Sequence, residues 1–432
     1  MTRRRLLQSI VAGATTAATG RLFAQPDQPA AKHDKLSITG TTHKDLAPLD
    51  DLMTDFVRHH QVPGAALAVT RNSHLVYSRG FGLANVDEDR PVKPNSLFRI
   101  ASISKPLTAV AALQLVEANK FKLHDQVFDI LPIKQWLPAK YDERLRQVTV
   151  LNLLQHTGGW DRDNSFDPIV RAGQASKLLN HPLPVGPDEI TRFTLMLPLD
   201  FDPGTRYAYS NVGYLLLGRL IEHFSGLKYE AYVKQHVLKP MGITRMQLGR
   251  AWKEDLAKDE VHYYDSNHRE VTAVCGSHLG EKVPLVYGGE NFEAYEAHGG
   301  WIASAAELVK FAAAFDHPDK SRLLHKDTIA SMWQRPTGAA GHKPDGTPTD
   351  AYYGCGWDVR PIGDRGLANT WHSGLIAGTS TILIRRHDGF NMAAVFNTDH
   401  DSEKKVLSEV MDSKIHGAIN AVHHWPNRVV PE

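Results

Sequence analysis

Three groups of polar side chains in this sequence have the types and spacing that acyl transfer needs. The first lies in Phe98-Arg99-Ile100-Ala101-Ser102-Ile103-Ser104-Lys105-Pro106-Leu107. On a helix, residues three apart share a face about one turn from each other, so Ser102 would present its hydroxyl beside the Lys105 amine. Pro106 is tolerated only within the first turn or so, which places the helix start near Ser102. Backbone N–H groups are unpaired there, and the helix dipole favours negative charge. A free lysine titrates near ~10.4, so it is protonated at neutral pH. To accept a proton it needs desolvation or a neighbouring cation, a shift of roughly three units or about 4 kcal/mol. The apolar residues around this motif can supply the desolvation. Ser402-Glu403-Lys404-Lys405 has the same spacing but sits among charges and reads as a solvated helix cap. A cap followed by a core helix is also the plain alternative for Ser102.

The second group is Tyr209-Ser210-Asn211, where a phenol can shuttle protons and an amide can hydrogen-bond a substrate carbonyl or amide. The alternative is that Ser210 or Asn211 merely caps the helix that follows. The third is Trp371-His372-Ser373-Gly374-Leu375. A glycine in a strand permits close backbone approach, and a strand edge can offer N–H groups to a developing oxyanion. A bend at the end of a strand would account for Gly374 equally well.

The elements that must hold these groups follow from periodicity. Leu46 to His60 has helical apolar spacing and ends before Pro63-Gly64. Ala65–Thr70 and Leu75–Gly82 read as a hairpin through Arg71-Asn72-Ser73. Helices are expected over 102–119, 214–224 (with Gly226 as cap), 303–315 and 404–422. Short strands are expected at 353–359, 370–372, 379–385 and 391–397, the last two joined through Asp388-Gly389. Residues 252–296 are polar, aromatic and irregular, and read as a surface insertion. Strands near both ends with helices between predict an α/β (α+β) fold, one antiparallel sheet flanked by helices with a helical region inserted.

Balanced charge, 49 Lys and Arg against 48 Asp and Glu, argues against a nucleic-acid partner. Residues 1–25 read as a secretory signal: Arg3-Arg4-Arg5 precedes a weakly apolar run too short to span a membrane, and the paired arginines are similar to a twin-arginine signal. The mature protein is therefore expected to be periplasmic or secreted, with no stable membrane anchor after signal removal. Residues 26–44 read as a linker. Neither Cys-x-x-Cys nor His-Glu-x-x-His occurs, so no metal and no cofactor is expected. Cys275 and Cys355 are the only cysteines, and an oxidising compartment permits a disulfide between them. Nothing in the sequence sets an oligomeric state.

The order Ser102…Lys105, Tyr209…Asn211, His372…Gly374 resembles the serine β-lactamase/penicillin-binding-protein superfamily, in its class C-type branch of β-lactamases, DD-peptidases, D-aminopeptidases and related esterases. Leu153-Leu154-Gln155-His156-Thr157-Gly158-Gly159, Asp202-Pro203-Gly204 and Gly299-Gly300-Trp301-Ile302-Ala303-Ser304 carry the likeness further, which runs over about residues 46–420. The resemblance implies a serine hydrolase domain over 45–425, its α/β part from 45–101 and 297–425 and its helical part from 102–296. It also implies roles: Ser102 as nucleophile forming an acyl-enzyme, and Lys105 and Tyr209 sharing the proton work, with their order left open. Backbone N–H groups of Ser102 and Leu375 would form the oxyanion hole. Asn211 would orient a small-molecule or peptide substrate, and His372 and Ser373 would line the opposite wall. Where β-lactamases usually carry Lys-Thr-Gly, this chain has His372-Ser373-Gly374. That change favours ester or amide cleavage over a β-lactam, because histidine is mostly neutral near pH 7. A class C-type β-lactamase or DD-peptidase, and a non-hydrolytic sensor of the same fold, are the alternatives.

Overall fold

The computed structural model describes residues 36–133, 136–363 and 366–426. The expected signal, residues 1–25, and most of the expected linker lie outside them. The end of that linker joins the sheet instead: strand β1 (Ile38–Thr39) pairs with the second arm of the hairpin at Phe81 and Gly80. Thr39 Oγ1 pins it by donating to the Val92 carbonyl at 2.6 Å.

Helix α1 (Ala47–His59) leads into strands β2 (Gly64–Arg71), β3 (His74–Asn85) and β4 (Arg90–Pro91). Helices α2 (Ser104–Glu117), α3 (Val150–Leu154), α4 (Asn211–Ser225) and α5 (Ala305–Ala312) follow. The chain then returns through β5 (Tyr352–Tyr353), β6 (Asp358–Ile362), β7 (Leu367–Ile376), β8 (Thr379–Arg385) and β9 (Phe390–Phe396) to α6 (Leu407–Ala421). The sheet is antiparallel in the order β1-β3-β2-β9-β8-β7-β6-β5, with β4 paired to β3. Its first and last thirds come from opposite ends of the sequence, joined where β2 pairs with β9 from Arg71↔Phe390 to Ala65↔Phe396.

Both faces of the sheet are covered, so its central strands are continuously buried instead of alternating with solvent. On one face Ala65, Leu67, Val69, Ile382, Ile384 and Phe396 meet Met53 and Phe56 of α1 and Met411 and Ile415 of α6. On the other, Ala66, Ala68, Leu383, Ala393 and Val395 meet Leu308, Val309 and Phe311 of α5. The period-two alternation puts mostly large residues on the first face and more alanines on the second, against α5. Each buried Leu, Val or Phe contributes roughly 1.5–3 kcal/mol.

Several boundaries differ from expectation. The segment expected as one strand at 353–359 is two strands, because Gly354–Trp357 turns between them with Gly356 at φ +84°. A Cβ on Gly356 would lie 2.6 Å from that of Ala109, so the glycine lets this turn rest on α2. The last helix starts at Leu407, not 404, since Asp401 Oδ1 accepts from the Glu403 and Lys405 N–H groups and closes a turn there. Ser402-x-x-Lys405 thus belongs to an exposed turn and caps no helix. Residues 252–296 contribute a two-stranded ribbon, Glu270–Thr272 with Lys282–Pro284, and a third apolar cluster that includes Trp252, Phe292 and Tyr295.

Candidate active site

Ser102 sits in a 3₁₀ turn, Ala101–Ile103, immediately before α2. The helix therefore begins two residues later than the spacing predicts. Ala101 is left-handed at φ +47°, a conformation costing an alanine roughly 1–2 kcal/mol. The surroundings hold it there. Ile100 N–H donates to the Trp301 carbonyl at 3.0 Å, and the Ile100 carbonyl accepts from Thr381 Oγ1 at 3.1 Å. Gly374 of β7 closes the same corner: a Cβ there would lie 2.2 Å from the Ile100 oxygen. This close approach brings Leu375 beside the turn that carries Ser102.

Lys105, one turn on, is fully buried. Its Nζ lies 3.0 Å from Ser102 Oγ, 2.6 Å from Asn211 Oδ1 and 2.8 Å from the His298 carbonyl oxygen. The last two are acceptors only, so they consume two N–H donors. A neutral amine then has its lone pair left for the Ser102 hydroxyl. Burial, with the Arg162 guanidinium second, holds the Lys105 amine well below the ordinary lysine range, against an opposing pull from Asp167.

Tyr209 reaches Ser102 from the other side, its hydroxyl 2.8 Å from Oγ. Burial pushes this phenol well above the usual tyrosine range, partly offset by its bond to Ser102, so it stays protonated and donates to Oγ. The loop carrying it is laced to 156–159: Ala208 N–H donates to the His156 carbonyl at 2.9 Å and Gly204 N–H to that of Thr157 at 2.8 Å. Thr157 N–H in turn bonds the Asn152 carbonyl in α3, itself started by a Thr149–Asn152 capping box. The capping reading of Tyr209-Ser210-Asn211 holds for Ser210. Ser210 caps α4 by accepting from Val212 N–H, which leaves the Asn211 side chain free for Lys105.

The structure brings Ser102, Lys105, Tyr209 and Asn211 into one hydrogen-bonded group. His372 stands apart from that group. It is buried, with Nδ1 2.7 Å from the Ser373 carbonyl and Nε2 2.9 Å from Tyr353 Oη. A carbonyl only accepts, so Nδ1 carries the proton and Nε2 accepts from the tyrosine. Burial pushes its pKa down to about 3. Ser373 and Leu375 are exposed, and Gly374 is buried against Ile100. Cys275 and Cys355 are both free and buried, in separate apolar clusters, so no disulfide joins them.

Three residues of the site were given no role by the sequence. Asp167 Oδ2 accepts from Asn211 Nδ2 at 2.6 Å while Oδ1 caps Ile169 N–H. Its Asp-Pro sequence signals a cap but no link to Asn211. Arg162 lies with its guanidinium carbon 4.3 Å from the Tyr209 ring centroid. His156 lies against the rings of Tyr209 and Tyr353, both at 4.4 Å, and is held neutral by burial.

An antiparallel sheet between helix layers, with a reachable serine at a helix start and a buried lysine one turn on, is the β-lactamase/transpeptidase-like fold. A family model described as Beta-lactamase matches residues 49–413, and the chain belongs to that family. Penicillin-binding protein 4* of Bacillus subtilis strain 168 is 27% identical over 345 residues, covering 79% of this chain and 69% of that protein. Among solved structures, the D-amino acid amidase from Ochrobactrum anthropi SV3 is 21% identical with a TM-score of 0.65, over 88% of this chain and 99% of that one. EstCE1, described as a hydrolase with promiscuous acyltransferase activity, is 18% identical with a TM-score of 0.64, over 88% and 99%. The structural likenesses establish the shared fold.

Proposed function

We propose that this protein is a serine hydrolase that cleaves an ester or amide bond, peptide bonds included, through an acyl-enzyme on Ser102. The observation that carries this reading is the set of partners around Lys105. With two N–H groups engaged by Asn211 Oδ1 and the His298 carbonyl, the buried neutral amine has only its lone pair to offer Ser102. In acylation the Ser102 proton passes to Lys105 as Oγ bonds the substrate carbonyl carbon. Tyr209 then gives its proton to the leaving oxygen or nitrogen as the scissile bond breaks, and takes one back from Lys105. Water repeats the sequence against the acyl group, and Ser102 is restored. The directions of the two pKa shifts support Lys105 over Tyr209 as first acceptor. Backbone N–H groups of Ser102 and Leu375 serve the oxyanion, and Ser373 lines the cleft.

A substrate without an essential carboxylate is favoured by His372, whose two ring nitrogens are both occupied and which stays uncharged. Penicillin-binding protein 4* represents the alternative. Turnover of p-nitrophenyl acetate and D-alanyl anilides, measured beside nitrocefin, separates the two. Efficient nitrocefin hydrolysis with poor ester and amide turnover would sink the preference. We also assign export by the twin-arginine route, from Arg3-Arg4-Arg5. Paired-arginine substitution in a periplasmic reporter fusion should abolish export, and unchanged export would refute the assignment.

A further inference from the structure

We propose that Arg162 is a positioning residue of this site: its guanidinium braces the Tyr209 ring and places a permanent positive charge beside Lys105. The inference rests on the Ser102–Lys105 reading and adds a residue that no motif supplies.

The geometry is specific. The Arg162 guanidinium carbon lies 4.3 Å from the Tyr209 ring centroid, and Lys105 Nζ lies 4.8 Å from the same point. The two cationic centres are therefore within about 9 Å of each other, close enough for Coulomb repulsion to matter at the effective dielectric of a partly buried site. An arginine keeps its proton, so its fixed charge adds to burial in favouring the neutral lysine. The backbone of Arg162 is also anchored. Asp161 accepts from the N–H groups of Asp163 and Asn164 and pairs with Arg206 at 2.8 Å. Asp200 accepts from Asp161 N–H, Asn164 Nδ2 and Ser165 Oγ. Among the described residues the side chain, by contrast, makes a loose ion pair with Asp163 at 3.7 Å, both groups being well exposed, and such a pair holds little. What it does have is the tyrosine face, a cation–π contact.

Most of the groups around Lys105 carry no charge that would oppose that of Arg162. Ser102, Asn211 and the His298 carbonyl bond it, the Tyr209 and Tyr214 rings flank it, and His156, His298 and His372 are all held neutral by burial. Asp167 is the opposing charge, and its oxygens are engaged by Asn211 and Ile169 N–H.

The test is the pH dependence of kcat/KM for p-nitrophenyl acetate in wild type, Arg162→Gln and Arg162→Lys. The acid limb reports loss of the neutral amine. Removing the fixed charge should move that limb to higher pH by roughly one unit, while lysine at this position keeps it near the wild-type value. Raising ionic strength should move the wild-type limb in the same direction and leave that of Arg162→Gln in place. An unmoved limb in Arg162→Gln, or a limb moved as far in Arg162→Lys, would overturn the inference. A Ser102→Ala control separates the two levels: if it still turns over the ester, the nucleophile reading itself has failed. If it is dead while the Arg162→Gln limb is unmoved, only the role of Arg162 has.

Discussion

Tyr353 donates its hydroxyl proton to His372 Nε2 across 2.9 Å, and thereby occupies that ring nitrogen. With Nδ1 committed to the Ser373 carbonyl, the imidazole has no free donor and no charge. The residue standing where β-lactamases usually carry a lysine acts here as a fixed neutral strut between β5 and β7.

The buried histidines predict acid sensitivity. Burial holds His156 and His298 well below the ordinary histidine range and brings His372 to about 3. Because these pKa values are depressed on folding, the unfolded chain takes up more protons once pH falls below ~6.5. Stability is thus full above that pH and falls below it. Three such groups give a slope approaching about 4 kcal/mol per pH unit between roughly pH 6 and 4. Urea midpoints at pH 7, 6, 5 and 4 should fall steeply across that range, and a flat profile would contradict the assigned neutral state.

Asp167 is expected to act through Asn211. Asp167→Ala removes the acceptor that orients the Asn211 amide and the cap on Ile169 N–H. We predict a 10- to 100-fold fall in kcat with little change in KM, and a loss of about 1 kcal/mol from the cap. Steady-state kinetics and thermal melts check both. An unchanged kcat would show that Asn211 holds Lys105 without help.

Gly374→Ala tests the packing of β7 on the nucleophile turn. The new Cβ would meet the Ile100 carbonyl oxygen at 2.2 Å and Thr381 Oγ1 at 2.4 Å, and neither belongs to a flexible side-chain end. The strand must shift away from Ser102, at a cost of about 1–3 kcal/mol. Turnover should drop by more than ~100-fold, the order expected when an oxyanion donor is displaced. Wild-type activity in this variant would remove Leu375 from the oxyanion hole.

The cysteines give a prediction of opposite kind. Both are buried and free, and burial raises Cys275 to about 11 and Cys355 to about 12, so both stay thiols. Thiol titration should find none reactive in the native protein and two after denaturation, and reductant should leave the melting temperature unchanged. A reductant-dependent melt would mean that a bridge forms.

The outline of this architecture was legible because its signals are local. Pro106 marked the start of α2 to within two residues, the hairpin β2–β3 followed from two strand-like runs joined by the turn residues Arg71-Asn72-Ser73, and Gly226 capped α4 as expected. Order among Ser102, Lys105, Tyr209 and Asn211 then allowed the four to be drawn as one site. What escaped were partnerships made across the fold. Asp167 reaches Asn211 over 44 positions and Tyr353 reaches His372 from another strand, and neither pair leaves a mark in its own neighbourhood. The single strand expected at 353–359 failed for a similar reason. The left-handed Gly356 breaks it because the turn must rest on α2, a contact invisible to periodicity.

The most direct test of the central claim is the mass of the intact protein after brief reaction with a fluorophosphonate, followed by peptide mapping. The account predicts one adduct per chain, located on Ser102, absent from Ser102→Ala, and strongly slowed in Lys105→Ala because the oxygen would lose its proton acceptor. Equal labelling of wild type and Ser102→Ala, or an adduct mapped to any other residue, would contradict it.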